Sequence, residues 1–530
     1  MLEARRMGRK QATRPIPPYF LVPAVLAGAG VLLPLVYLLL RALEADPQTL
    51  AQLVLRERNL HLLGNTLWLT LGVMAGTTLL ALPLAWLTAR SDLRGQRLLA
   101  LLLTLPLAIP GYVGAFALLG ASGPGGLIHA LTGIPWPRPS GYWGALGVLV
   151  LFTYPYLFLN LRSALLGLDP SLEEAARSLG YRGLEVFFKV VLPQLRPALY
   201  AGWLLVGLHV LGDFGVVSLM RFETFSYAIY LQYSASFDRI YAAWLSLMLL
   251  VLTAGFLLAE ARSLRGLSLS RVGLGSARRQ RAVALGGWRW PALGLVALTL
   301  GAALGVPGAA IAYWVFRWPG DYNRGLEGIV QSFLHSAQAS APAAILAALL
   351  ALPLAYLGVR FPSAFSRALE RTAYLGYTVP PLAFALALIF FSLRAVPFLY
   401  QTLALLVLAY SLHFLAEAIG PIRSALYQAS PRLEEAARSL GYSPVGAFVK
   451  ASLPLLQRGV LASMALVFLS SLKELPLTFL LAPVGFDTLA TRIWGYTSEA
   501  MFAEAAPYAL LIALFSALFV GLLLAQERKT

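Results

Sequence analysis

Long apolar stretches separated by short polar intervals run the length of the chain, and the intervals carry most of the arginines. A bilayer-crossing helix needs about 20 largely apolar residues, because it rises 1.5 Å per residue through roughly 30 Å of hydrocarbon. Twelve stretches qualify, near 19–43, 63–89, 97–120, 141–163, 195–219 and 238–261, then near 290–315, 333–359, 372–393, 398–423, 456–481 and 504–525. The pattern predicts an all-α integral membrane protein with twelve transmembrane helices.

Alternating these spans from a cytoplasmic N terminus puts Arg90, Arg94 and Arg97, and later Arg360, Arg367 and Arg371, on the inside. The same side receives Arg5, Arg6, Arg9, Lys10 and Arg14, the run Arg262, Arg265, Arg271, Arg278, Arg279 and Arg281, and the tail residues Arg528 and Lys529. Cytoplasmic loops carry the excess of Lys and Arg, so both termini are expected in the cytoplasm, with 120–141 and 482–501 outside. The basic N terminus ahead of Tyr19 to Leu43 resembles a signal peptide. That apolar run is too long and lacks a small-residue cleavage site, so it is expected to be a retained first span.

The chain also repeats itself. Ala81-Leu-Pro-Leu-Ala-Trp-Leu87 returns as Ala351-Leu-Pro-Leu-Ala-Tyr-Leu357, and Ile109-Pro110-Gly111 returns at the same spacing as Val379-Pro380-Pro381. Glu173-Glu-Ala-Ala-Arg-Ser-Leu-Gly-Tyr181 returns unchanged as Glu434 to Tyr442. Six spans per copy keep both copies in one orientation, so the repeats are parallel about an axis along the membrane normal. The expected organisation is a tail and first span over 1–62 and a first repeat over 63–262 with a loop at 169–193. A basic linker over 263–289, a seventh span and outer loop over 290–332, and a second repeat over 333–530 with a loop at 430–454 complete it.

Composition changes this picture little. The chain is 59% hydrophobic and 12% charged, against roughly a quarter charged in globular domains. Its net charge of +17 would suit nucleic acid, but the basic residues sit between spans, so membrane lipid is the expected neighbour and no nucleic acid. Without cysteine there is no disulfide, thiolate metal site or cysteine nucleophile, and any metal must be met by oxygen or nitrogen.

The repeated loops share one local grammar. Asp169 or Ser430 is placed to cap a helix, Pro170 or Pro431 suits its first turn, and Gly180 or Gly441 suits a left-handed end. The motif is Glu174-Ala175-Ala176, three residues, Gly180, then Leu192-Pro193, and again Glu435-Ala436-Ala437, three residues, Gly441, then Leu453-Pro454. It resembles the EAA loop of ATP-binding cassette importer permeases, of the type I fold. The resemblance implies that each loop forms a coupling helix seated in a groove of an ATPase subunit. Glu174, Ala175, Ala176, Gly180, Glu435, Ala436, Ala437 and Gly441 are then the coupling residues, the alanines giving close approach and the glutamates charge.

No Gly-x-x-x-x-Gly-Lys-Ser/Thr phosphate loop occurs, so ATP and Mg are expected on a separate subunit, leaving no cofactor, metal or catalytic residue here. Two coupling loops imply two ATPase copies. The resemblance further implies a periplasmic or lipid-anchored solute-binding protein and a bacterial inner (cell) membrane setting.

Ionisable residues within spans are costly and so are functional candidates. Asp213 and Glu474 stand at matching places late in the fifth span of each repeat, with Lys473 beside the latter. With Leu105 to Tyr112, Leu211 to Val217, Thr224 to Tyr230, Leu472 to Thr478 and Asp487 to Trp494, these strings are similar to fused ferric-iron permeases, with Pro381 a departure from the usual glycine. Permeases for thiamine, sulfate, phosphonate or polyamines share the layout. Asp213, Glu474 and Lys473 either flank the pathway or have a structural role, in which Asp213 and Glu474 cap the span or pair with Lys473 and Arg221 to close a gate. His413 and Glu417, four apart, share a helical face and read as a polar contact, His209 and His335 as single satisfied histidines, and Tyr181 and Tyr442 as packing residues. An ion-coupled secondary transporter would also carry twelve spans and membrane acids, whereas the doubled loop and parallel repeat favour the importer. A membrane enzyme would need a catalytic cluster at a membrane face, which the sequence lacks.

Overall fold

Both faces of a membrane helix are apolar, so size rather than polarity decides which face turns inward. The computed structural model describes residues 17–44, 48, 56–236, 238–263, 282–319 and 322–527. The basic clusters Arg5 to Arg14 and Arg265 to Arg281, and Arg528 with Lys529, lie outside the described residues. In chain order the main helices are α1 (Pro18–Ala42), α2 (Glu57–Arg90), α3 (Gln96–Ala108), α4 (Gly111–Ala121), α5 (Gly141–Gly167), α6 (Pro170–Ser178) and α7 (Leu192–Gly212). Then come α8 (Gly215–Leu219), α9 (Arg239–Ser263), α10 (Gly286–Phe316), α11 (Tyr322–Arg360), α12 (Ala364–Thr378) and α13 (Pro381–Ala395). The series closes with α14 (Leu403–His413), α15 (Leu415–Gln428), α16 (Pro431–Ser439), α17 (Leu453–Leu472), α18 (Pro476–Leu481) and α19 (Phe502–Glu527).

Contacts divide the chain into two units that do not follow chain order. One holds α1, the start of α9, and α11 to α18; the other holds α2 to α8, the rest of α9, α10 and α19. In the first, α11 packs on α15 and α17, and α1 lies against α11, α12 and α13. In the second, α2 packs on α5 and α7, and α10 lies against α4 and α19. The helix that opens each sequence repeat therefore packs on helices of the other, α10 also keeping α19 of its own repeat. Small residues make this possible. Ala24, Ala27 and Gly28 turn inward on α1 while Val22, Leu26 and Leu33 face outward, and Ala339, Ala343, Ala347 and Ala351 form a fully buried stripe along α11.

Eight helices are long and apolar enough to cross a membrane, or up to eleven if each of three bent pairs is one span. The stretches expected as spans over 97–120, 372–393 and 398–423 are bent pairs of helices: α3 meets α4 at 91°, α12 meets α13 at 109°, and α14 meets α15 at 53°. The first two breaks have a covalent cause. Pro110 and Pro380 lack an N–H, and the residues before them, Ile109 and Val379, are held extended (ψ 118° and 127°). Among the described residues, Phe502–Leu518 is a shorter apolar helix, so twelve is not reached by length and composition alone.

Gly459 on α17 tests the close packing. A Cβ there would stand 2.8 Å from the carbonyl oxygen of Pro421 on α15, whereas one at Gly308 would meet nothing within 4 Å. Gly459→Val is expected to cost about 1–3 kcal/mol, seen as an earlier thermal loss of monodisperse protein in detergent, with Gly308→Val unchanged.

Candidate functional site

The two repeated loops fold alike. Asp169 Oδ1 accepts the Ser171 N–H at 2.9 Å and Ser430 Oγ accepts the Arg432 N–H at 3.4 Å, so both expected caps form. At the far end Gly180 and Gly441 each stand at φ +89°, where an L side chain is strained. The Gly180 and Tyr181 N–H groups return to the carbonyls of Arg177 and Ala176 at 3.0 and 3.1 Å, and Gly441 and Tyr442 return to Arg438 and Ala437 at 3.0 and 3.2 Å. These paired bonds close a helix whose last carbonyls would otherwise be unmet. A short helix and a single π turn, Phe187–Val191 or Phe448–Ser452, then lead to Leu192-Pro193 or Leu453-Pro454.

Sequence reasoning gave the charge to Glu174 and Glu435, which are exposed, and missed the glutamates before them. Glu173 lies 3.0 Å from Arg90 at the end of α2, both side chains largely buried, and Arg90 Nε also donates to the Leu165 carbonyl at 3.1 Å. Charge attraction holds the Arg90–Glu173 contact, and Arg177 donates to the other Glu173 oxygen at 3.4 Å. Glu434, 5% exposed, instead accepts from the Tyr356 hydroxyl at 2.7 Å and from Ser452. Arg360 Nη2 donates to the Ala429 carbonyl at 2.7 Å. Each loop is thus fastened to the long helix that begins its unit's core, α2 or α11. The signal was present: Arg90 and Arg360 sit at the same repeat spacing, and Glu173 and Glu434 lie inside the unchanged nine-residue string.

The alanine pair is split. Ala175 and Ala436 face outward, while Ala176 is buried and Ala437 half-buried. Leu179 and Leu440 are 79% and 80% exposed, flanked by Leu184 and Phe188 in one loop and Val445 in the other. Tyr181 and Tyr442, expected to pack, keep 39% and 47% exposure, and Lys189 lies over the Tyr181 ring. Both loops therefore leave apolar surface exposed beside their polar caps.

The carboxylates occupy matching helix breaks. Asp213 ends α7, and its Oδ1 accepts the N–H groups of Val216 and Val217 at 3.0 and 3.2 Å, capping α8. Glu474 follows α17, and its Oε1 accepts the Leu477 N–H at 3.2 Å, capping α18. Ser226 donates to the Asp213 carbonyl, and Thr478 to that of Glu474, both at 2.6 Å. Lys473 is drawn electrostatically to Glu417, which accepts from Ser470 at 2.7 Å. His413 and Glu417 do not share one continuous helix, because α14 ends between them. The buried His413 ring lies among Tyr377, Phe384 and Phe414, while Nδ1 of His335 is 3.0 Å from the Asp487 carbonyl and His209 sits beside Tyr156. Among the described residues no group of three or more His, Asp or Glu gathers at metal-binding spacing.

Residues 81–263 and again 349–530 match the family described as binding-protein-dependent transport system inner membrane component. The chain belongs to that family. Each match holds one fastened loop and one capped break, and membership removes the secondary carrier and the membrane enzyme. The permease is 34% identical over 514 residues to the Fe(3+)-transport system permease protein FbpB 2 of Haemophilus influenzae, covering 96% of this chain and 98% of that one. It is 31% identical over 241 residues to the sulfate transport system permease protein CysW of Escherichia coli, 43% of this chain and 80% of that one. A probable molybdenum ABC transporter permease of Haloferax volcanii is 34% identical over 143 residues, 26% of this chain and 51% of its own.

The two anchors differ in cost. Glu173→Ala strands the Arg90 guanidinium and is expected to destabilise the permease by about 3 kcal/mol, whereas Glu434→Gln keeps an acceptor for Tyr356 and should cost about 1 kcal/mol. Thermal unfolding of the two purified variants side by side checks the order.

Proposed function

We propose that this permease carries ferric iron across a bacterial inner membrane, coupled to two separate ATPase subunits and fed by an external solute-binding protein. What carries the reading is the near full-length likeness to a permease named for Fe(3+) transport; the sulfate and molybdenum relatives match less than half of the chain. In this reading the chain passes the membrane twelve times, each bent pair counting once and α19 serving as the last, with both termini in the cytoplasm. ATP and Mg stay with the partner, so the permease has no catalytic residue of its own.

Glu174, Ala175, Gly180, Leu179 and their counterparts Glu435, Ala436, Gly441 and Leu440 form the outward side of each coupling loop, with Ala176 and Ala437 packing it from behind. Because each loop is fastened to α2 or α11, a displacement by the ATPase moves a long helix rather than bending a connector. Asp213 and Glu474 serve the pathway. Each commits one oxygen to a helix cap and offers the other as a hard donor to a trivalent cation, a weak one-oxygen contact suited to a solute that must leave. Lys473, drawn toward Glu417, balances charge beside the second of them.

Proteoliposomes holding this chain, its ATPase and its binding protein should take up ferric iron on ATP addition, undiminished by excess sulfate or molybdate. Asp213→Asn with Glu474→Gln should lower that uptake by about tenfold, some 1.4 kcal/mol of barrier, at unchanged assembly. Uptake of sulfate instead would overturn the iron reading, and full iron uptake by the double variant would remove the carboxylates from the pathway.

The glycines test coupling separately. Proline locks φ near −65°, incompatible with +89°. Gly180→Pro or Gly441→Pro is therefore expected to abolish solute-stimulated ATP hydrolysis while the chain still inserts, as read by hydrolysis rate and by membrane-fraction abundance.

A further inference from the structure

At the C-terminal end of α1 lies a cavity of about 550 Å3, lined by Arg41 and Glu44, by Phe390 and Arg394 of α13, by Arg239 at the start of α9, and by Leu40. Three guanidiniums face one carboxylate. Glu44 pairs with Arg41 and with Arg394, the latter at 2.7 Å, and the Arg41 guanidinium lies 5.8 Å from the centre of the Phe390 ring. Asp238, at the start of α9, caps the Tyr241 N–H at 2.9 Å. Among the described residues lining the cavity the balance is therefore positive.

Two of the arginines have a simpler reason to be there. Arg41 and Arg394 fall in the last turns of α1 and α13, where the helix dipole favours a cation. Arg239 opens α9, at the positive end of its dipole, where Asp238 beside it supplies one anion and leaves three guanidiniums facing Glu44 in the cavity. The position of the cavity says where a further anion would come from. Leu40 both lines it and is 52% exposed, continuous with Val36, Leu39 and Leu43, which are 48%, 46% and 56% exposed on the same apolar helix. The mouth thus opens onto the lipid-facing side of α1 at the end of its span, where phosphate headgroups meet acyl chains. Trp244, one turn into α9, donates to the Ala42 carbonyl at 2.7 Å and keeps the third arginine beside α1.

We propose that this cavity binds one anionic phospholipid, its phosphate held by Arg239 with Arg394 and Arg41, and its acyl chain laid along Leu40. Guanidinium offers paired donors to phosphate oxygens, and the Phe390 and Leu40 surfaces suit the glycerol and upper chain carbons. A free phosphate would use the same charges but would gain nothing from the apolar floor.

Native mass spectrometry of the full chain in neutral detergent tests this, with phosphatidylglycerol and phosphatidylcholine of equal chain length titrated separately. The chain should retain one phosphatidylglycerol under activation that strips phosphatidylcholine. Arg239→Gln, which leaves both ion pairs of Glu44 in place, should weaken that retention about fivefold, as should Arg394→Gln in parallel. Equal retention of the two lipids, or undiminished phosphatidylglycerol on both variants, overturns the proposal. Displacement of the lipid by millimolar inorganic phosphate overturns it in favour of a soluble anion. Unchanged lipid retention with weaker docking of the solute-binding protein would make the arginines a protein-docking patch instead.

Discussion

Backbone N–H and carbonyl groups have no water to bond within a bilayer, so a helix can stop there only if something in the protein takes over its loose ends. The structure depends on how this chain meets that demand at its broken helices. Where α7 gives way to α8, Asp213 receives two of the N–H groups that α8 exposes; where α17 gives way to α18, Glu474 receives one. A carboxylate is the strongest acceptor available for that task, and it also brings a second oxygen and a charge. The observed cap and the proposed pathway role of these residues are compatible in one arrangement. The cap stabilises a break, and breaks of this kind are tolerated only where the freed backbone is buried or lines a passage.

The two halves solve one problem by different chemistry. The first fastens its loop through an ion pair, Glu173 with Arg90; the second uses the hydroxyls of Tyr356 and Ser452 around Glu434. The hydroxyl version is backed by an aromatic stack, with Phe20 of α1 4.1 Å from the Tyr356 ring and 5.0 Å from Phe448. The start of α1 is therefore part of the second loop's support. Likewise, the positions that hold Glu417 and Ser470 in the second half hold Tyr156 and His209 in the first, where the two rings lie 5.7 Å apart.

What was legible in the sequence is what local pattern encodes. Apolar run length gave the membrane helices, the unchanged nine-residue string gave the duplicated loop, and the cap and glycine positions gave its turn, down to the left-handed Gly180 and Gly441. Features that need two distant segments to meet were not legible. Glu173 looks no different from Glu174 until Arg90 is brought beside it, and the grouping of α1 with the second repeat's helices has no mark in α1 itself. The bends at Pro110 and Pro380 were written in the sequence but outweighed by apolar run length. The break after His413 has no proline at all, and the 53° bend there removes the continuous helix on which His413 and Glu417 were expected to share a face.

The exchange of opening helices bears on how such a chain arises and how it could be divided. α1 packs with α11, α12 and α13, all of the second repeat, while α10 packs with α4 of the first repeat as well as with α19 of its own, so the first helix of each repeat has partners in the other. Severing the linker would yield two polypeptides that each lend an arm to the other, a reciprocal clasp in place of two free-standing modules. Fusion into one chain then fixes equal dosage of the halves and lets their sequences drift apart, as the unlike supports of Glu173 and Glu434 already record.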